Sequence, residues 1–399
     1  MEAENPSSPS TQDQQTIYNS VNSPLRIAHV TTSLIGGGAA KAMMDLVSTQ
    51  RAAGHEVLVV SIAPPTAPPA WFSIEHGEWN EIRHLDWILR YDHPLNLKGG
   101  RQRLRNVLDE FHPDIVHSNL WAADILASLA VNRYSCVHIA HIQNQEVWKN
   151  STHWKHRFRR SITRMLFRRS MTRFIACSEA VKAYETLHMQ WPKEDIDVAY
   201  NTADSRRFRP REKRQSGRLR IGSAGWFIER KGHTQLINAV ATLVSEGLDL
   251  ELVLAGEGPL RGEYLRLATD RGITDRLILP GPVSDMVSFY QSLDVFALSS
   301  SEEGLALVVL EAMASGLCIV ASALDGMDEA VHPEINGLLY NVGDQLSLVS
   351  ALRRALIDQE FNSRMGLASR RIAVENFSLS ESALKVDSIY RRRLMERQK

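Results

Sequence analysis

The chain has 399 residues, with 46 Lys plus Arg against 46 Asp plus Glu, 44% hydrophobic residues and 3 cysteines. Zero formal charge excludes a global attraction to nucleic acid, so any anion must be held by a local site. The length exceeds what one core supports and implies two domains, and the apolar content excludes disorder over most of the chain.

Residues 1–24 are rich in Ser, Pro, Gln and Asn and are expected to form a disordered tail. They hold no Lys or Arg and no apolar stretch, so no secretory signal is expected and the cytoplasm is the expected compartment. From Arg26, short apolar runs alternate with helical patterns: IAHVTTS, a Gly cluster, AKAMMDLVSTQRAAG, HEVLVVSI, then DIVHS, CVHIAHI, RFIACS and DIDVAYN. Such β-α-β order implies a parallel sheet covered by helices. Cys136, Cys177 and Cys318 lie apart in apolar contexts and read as small core residues. The polar segment 201–218 reads as an interdomain linker. A second β-α series follows, with LRIGSAGWF, LELVLAGEG, RLILPGPV, DVFALSS and LCIVASA. The expected fold is α/β, two doubly wound Rossmann-like domains in tandem, with ligands at the carboxyl ends of the strands.

Three loops after strands carry chemistry. In EEGLALVVLEAMASG, residues 302–316, Leu305 to Ala314 predicts a helix closed by Gly316. Amides near Gly304, Leu305 and Ala306 then suit a phosphate. Glu311, between apolar Leu310, Ala312 and Met313, would be costly to bury without a partner. In GWFIERKG, residues 225–232, Lys231 is either a surface lysine or a cation for a departing diphosphate. Gly36, Gly37 and Gly38 precede a helix and permit close approach of backbone to a ligand. The Gly256-x-Gly258 turn lacks the third glycine of a dinucleotide fingerprint.

These motifs resemble the family 4 glycosyltransferases of the GT-B fold, whose hallmark is the Glu-x7-Glu element met here as Glu303 and Glu311, followed by Ala-Met-Ala-x-Gly. The resemblance implies an acceptor domain at 25–200 and a donor domain at 203–377 facing each other across a cleft, and a last helix, 378–399, returning to the first domain. It implies transfer of a hexosyl unit from a nucleotide-diphosphate sugar to the hydroxyl of a glycan or lipid-linked acceptor in polysaccharide or glycolipid synthesis. Transfer would retain anomeric configuration, and no metal or other cofactor is implied beyond the nucleotide-sugar co-substrate. By resemblance Glu303 would contact the transferred sugar, Glu311 the ribose, and Lys231 the diphosphate, with Gly37, Gly38, Gly304 and Leu305 near the donor phosphates. Val283, after Gly281-Pro282, would meet the base. His141 would orient sugar and acceptor, its near-neutral pKa allowing either hydrogen-bonding role, while His117 reads as structural. Asn201 and Asp204 match a hinge segment. The chain departs from the family at Trp226, where an Arg is usual and for which Arg230 would substitute only from a different direction, and at Asn119, a second-His position. A sugar-nucleotide epimerase and a non-catalytic sugar-nucleotide-binding protein stay open as alternatives.

Residues 151–173 contain eight Lys or Arg and no acid, with Trp154, Phe158, Ile162, Met165 and Leu166 at helical spacing. The stripe either packs inward, leaving a solvated basic face, or docks the protein on anionic lipid or a phosphate-bearing acceptor, as a peripheral contact on the inner membrane face.

Overall fold

The computed structural model describes residues 23–398 apart from Gly36 and residues 70–71, 73–75, 89–93 and 211–216. Nearly all of the expected disordered tail, together with Gly36, lies outside the described residues.

The first sheet is built from β1 (Arg26–Thr31), β2 (Glu56–Ser61), β3 (Arg83–His84), β4 (Ile115–Asn119), β5 (Val137–Ile142), β6 (Arg173–Ala176) and β7 (Ile196–Val198). All pairings are parallel, in the order β3-β2-β1-β4-β5-β6-β7. The second contains β8 (Leu219–Ala224), β9 (Leu250–Ala255), β10 (Leu277–Gly281), β11 (Val295–Leu298), β12 (Cys318–Ser322) and β13 (Gly337–Tyr340), in the order β10-β9-β8-β11-β12-β13. Helices cover the sheets, which is why strands such as VHIAHI and LELVLA are buried at every position. Each strand run read from the sequence is present. The two strands without a sequence signal, β3 and β13, are only two and four residues long. In both sheets the strand order reverses beside the first strand, at β1/β4 and β8/β11, and crevices open at such switch points.

Register aligns side chains across the first sheet. His29 pairs with His117 and Asn119 with His141, so these four residues share one face. The imidazoles of His29, His117 and His141 follow one another at centroid spacings of 4.8 and 5.2 Å. The last helix, Leu379–Gln398, packs on this sheet: Ala383, Val386, Ile389 and Tyr390 join Ile27, Ile115, Ile139 and Ile175 in one buried cluster. Tyr390 also hydrogen-bonds His117 and, at 3.3 Å, Gln50. Another apolar cluster runs through both domains, from Phe174 and Cys177 to Leu305, Leu310 and Ile319, so the domains meet through a packed interface. All three cysteines are free and buried. Trp79 donates to the Thr66 carbonyl at 2.9 Å, and Trp87 packs under Gly99 and Gly100.

Candidate active site

Lys231 closes the short turn Glu229–Lys231 that follows β8. Gly232, next in the chain, has φ 62°, and a Cβ there would lie 2.1 Å from the Ser299 carbonyl oxygen. Only glycine lets the turn sit this close to the end of β11. The Ser299 hydroxyl donates to the Lys231 carbonyl at 2.9 Å, fixing the lysine backbone. Its Nζ donates to Glu303 Oε1 at 2.5 Å, and Ser300 Oγ donates to the same oxygen at 2.7 Å. A cation, a carboxylate and a hydroxyl thus converge at the carboxyl ends of β8 and β11, largely screened from solvent.

The following helix is Leu307–Ala314, which begins two residues later than expected. Gly304 to Ala306 instead form a loop wedged against the first domain. A Cβ on Gly304 would lie 2.3 Å from the Gln143 carbonyl oxygen and 2.9 Å from Cys177 Sγ, and Asn201 Nδ2 donates to the Leu305 carbonyl at 2.9 Å. Glu311 therefore sits about one turn into the helix rather than two. It is buried, and its partners come from both domains. Tyr290 donates to Oε2 at 2.8 Å, while Lys41 Nζ, on the first-domain helix Gly38–Ala52, lies 3.1 Å from Oε1. Lys41 also donates to Asp45 at 2.8 Å, and Asp45 contacts His76 Nε2 at 2.9 Å. Burial alone would lower the Lys41 ammonium, but the Glu311 and Asp45 carboxylates outweigh it and hold the group above its ordinary range. Gly38 touches the same helix, since a Cβ there would meet Leu307 Cδ1 at 3.1 Å, whereas Gly37, at φ 88°, borders open space.

On the first-domain side, Asn119, His141 and Gln143 are buried at or just beyond the ends of β4 and β5. Among the described residues, both amide atoms of Asn119 and of Gln143, and Nε2 of His141, have no hydrogen-bond partner. Buried polar atoms are rarely left unpaired, and ligands of doubly wound sheets meet the carboxyl ends of the strands. His141 and Gln143 line a cavity of about 60 Å³ together with Trp121, Asp124, Lys149 and Glu185. Within it Lys149 Nζ contacts Glu185 at 2.5 Å and Glu146 at 3.1 Å. Asp124 accepts from Ser118 at 2.7 Å, yet burial pushes its carboxyl up to about 8. Burial also pushes His141 down to about 3, which corrects the near-neutral value expected for it. The imidazole is neutral at physiological pH.

The other expected positions separate. Val283 is half-buried against the core cluster on the loop after β10. Trp226 is 55% exposed, and Arg230 turns its guanidinium toward the Glu302 carbonyl, at 3.4 Å. Neither supplies a second cation beside Lys231. His117 is core, held by Tyr390. The sequence reading missed Lys41, Tyr290, Ser300 and Gln143. Of these, only Ser300, at the end of the strand run DVFALSS and three residues before Glu303, carried a local signal.

The family model described as Glycosyltransferase Family 4 matches residues 36–207, and that described as Glycosyl transferases group 1 matches residues 204–372. The chain belongs to the family 4 glycosyltransferases. Among similar proteins, the lipopolysaccharide core biosynthesis glycosyltransferase LpsE of Rhizobium meliloti is 34% identical over 158 residues, 40% of this chain and 45% of that one. N-acetyl-alpha-D-glucosaminyl L-malate synthase of Bacillus anthracis is 28% identical over 52% of this chain and 56% of its own length. The chain thus spans about half the length of the curated relatives it matches. Among solved structures, sucrose-phosphate synthase from Thermosynechococcus elongatus superposes with a TM-score of 0.78 at 19% identity, covering 93% of this chain and 100% of that one. HepE of Anabaena, solved in complex with UDP-glucose, gives 0.75 at 18% identity, over 92% and 99%. These likenesses establish the GT-B fold. Lys231, Glu303 and Glu311 follow strands of the second sheet, and His141 and Gln143 lie at the end of β5 in the first.

Proposed function

We propose that this protein is a glycosyltransferase that moves a sugar from a nucleotide-diphosphate sugar to an acceptor hydroxyl with retention of anomeric configuration, in polysaccharide or glycolipid synthesis. The observation that carries the reading is the convergence of Lys231, Ser300 and Glu303 at one switch point, opposite unpaired polar atoms at the ends of β4 and β5. In the transfer, the bond from the anomeric carbon to the diphosphate oxygen breaks and a bond to the acceptor oxygen forms. The acceptor proton leaves with the departing diphosphate. Lys231 offsets the charge that develops on that diphosphate, and charge of this kind is the largest lever a protein has on such a step. Lys231 and Glu303 restrain each other at rest, so an arriving diphosphate shares the ammonium and leaves the carboxylate aimed at sugar hydroxyls, which donate to it. Glu311, with Lys41 and Tyr290 already on its two oxygens, keeps acceptor capacity for a ribose hydroxyl. Neutral His141 acts as a hydrogen-bond partner of the sugar and acceptor, not as a charged acid. The cavity beside it, between Gln143 and Lys149, receives the acceptor.

Trp226 favours a second reading, a protein that binds sugar nucleotides without transferring them. A thermal-shift screen with UDP-, GDP- and ADP-sugars tests the donor site common to both, because a ligand bound to the native state raises its stability by mass action. One of the three classes is expected to raise the melting temperature, with the rise lost in Lys231→Ala. No shift with any of them at millimolar concentration contradicts a donor site. Transfer to an acceptor panel then separates transferase from binder.

A further inference from the structure

The helix Trp154–Arg169 turns its apolar stripe outward. Trp154, Phe158 and Met165 are 67%, 63% and 60% exposed and Ile162 is 37% exposed. At 100° per residue these four lie within an arc of roughly 80°. The buried residues of the helix, Thr163 and Phe167, lie on the opposite side, where they line the cavity beside His141. Four of the five stripe residues thus face outward, and Leu166 alone packs inward against the core.

The basic residues divide in the same way. Arg159 stacks between Trp121 and Trp148, 3.7 and 3.9 Å from their ring centroids. Arg160 donates to the Lys149 and Ser151 carbonyls at 3.0 and 2.7 Å, and Arg164 to Gln190 at 2.6 Å. These three fasten the helix to the first domain. Lys155, Arg157, Arg168 and Arg169 are exposed; the first three flank the apolar arc and Arg169 closes its C-terminal end, and among the described residues none of them forms an ion pair. Among the described residues no helix is long and apolar enough to cross a membrane. An aromatic and aliphatic stripe bordered by unpaired cations is the pattern of a helix that lies in the headgroup layer of a bilayer.

We propose that the outer face of Trp154–Arg169 docks the protein on an anionic lipid surface, with Trp154, Phe158, Ile162 and Met165 inserted and Lys155, Arg157, Arg168 and Arg169 against the headgroups. Docking in this orientation sets the cavity on the inner side of the same helix close to the membrane plane. The contact requires neither donor nor transfer, so its failure would leave the transferase reading standing. The test is co-sedimentation of the full chain with phosphatidylcholine vesicles carrying 0 or 30% phosphatidylglycerol. The wild type is expected to bind the anionic vesicles, more weakly as salt rises. Replacing Lys155, Arg157, Arg168 and Arg169 together by Ser is expected to cut the partition coefficient by at least about 100-fold. The triple change of Trp154, Phe158 and Met165 to Ser is expected to abolish binding while the melting temperature stays within a few degrees, because these side chains are outside the core. Equal binding by wild type and either variant overturns the proposal, as does absence of binding to anionic vesicles. Self-association without lipid that the triple variant removes also overturns it, by making this face an interface between copies of the chain.

Discussion

Two carboxylates only eight positions apart meet different fates because of what each touches. Glu303 ends on a lysine of its own domain and a neighbouring serine, whereas Glu311 reaches across the interface to Lys41. Breaking a buried pair by removing one partner costs about 3–5 kcal/mol, since the other charge remains buried. Lys41→Met is accordingly expected to lower stability in urea by a few kcal/mol, and the added change Glu311→Gln to recover part of the loss. If the single variant unfolds like wild type, Lys41 does not neutralise Glu311. Glu303→Gln keeps the shape and the Ser300 contact but leaves the Lys231 ammonium without its carboxylate, and is expected to reduce transfer by about 10²–10³-fold in a chain that still folds but is less stable. Near-normal turnover by this variant would remove Glu303 from the mechanism. Residue chemistry at these positions was legible in the sequence as far as Glu303, Glu311 and Lys231, which share short motifs. Lys41 was not, because a lysine in AKAMMD carries no sign that it faces another domain 270 positions on.

At the scale of elements, β1, β4 and β5 align buried histidines that the last helix covers. Burial pushes His29 down to about 4 and His141 to about 3, holds His117 well below its ordinary 6.5, and on the opposite face of β5 pushes His138 to about 3. Below about pH 6.5 the unfolded chain binds protons that the native imidazoles refuse, so stability falls as pH falls from there toward 4. Each such histidine contributes on the order of 2 kcal/mol of loss at pH 5. Urea unfolding between pH 7.5 and 5 is expected to show this slope, made shallower by His117→Gln; a flat profile would contradict neutral burial. Tyr390→Phe deletes the hydroxyl shared by His117 and Gln50 and is expected to cost about 1–2 kcal/mol without altering donor affinity. A change in donor affinity would give the last helix a part in the site that its packing does not. The strand runs were readable because parallel strands covered on both faces are nearly continuous apolar segments. The start of the Leu307–Ala314 helix was not readable: Leu305 and Ala306 have helical propensity, but packing of Gly304 on Gln143 and the Asn201 contact hold that stretch open.

Across the whole molecule, the interface between the sheets is fixed by few, specific polar links set in an apolar seam. Glu329 accepts from the Glu179 and Ala180 amides at 2.9 and 2.8 Å, placing a second-domain carboxylate at the positive end of a first-domain helix. With Lys41 to Glu311 and Asn201 to Leu305, this aligns the two switch points so that the ends of β4 and β5 oppose those of β8 and β11. The tandem arrangement could be read from the order of strand and helix patterns. The facing of the two halves came only with the family resemblance and not from the pattern, since it depends on contacts between residues such as Asn201 and Leu305 that are 104 positions apart. Net neutrality likewise concealed how charge is distributed: cations at Lys41 and Lys231 inside the cleft, and a row of unpaired cations on the outer face of Trp154–Arg169.

The most direct measurement is acceptor-dependent release of nucleoside diphosphate, with the product glycoside characterised by NMR, for wild type and Lys231→Ala given a sugar nucleotide that binds. Wild type is predicted to release nucleoside diphosphate in step with formation of a glycoside of retained anomeric configuration, and Lys231→Ala to remain folded but lose at least about 100-fold of that rate. Release unchanged in Lys231→Ala, or an inverted product, would contradict the account.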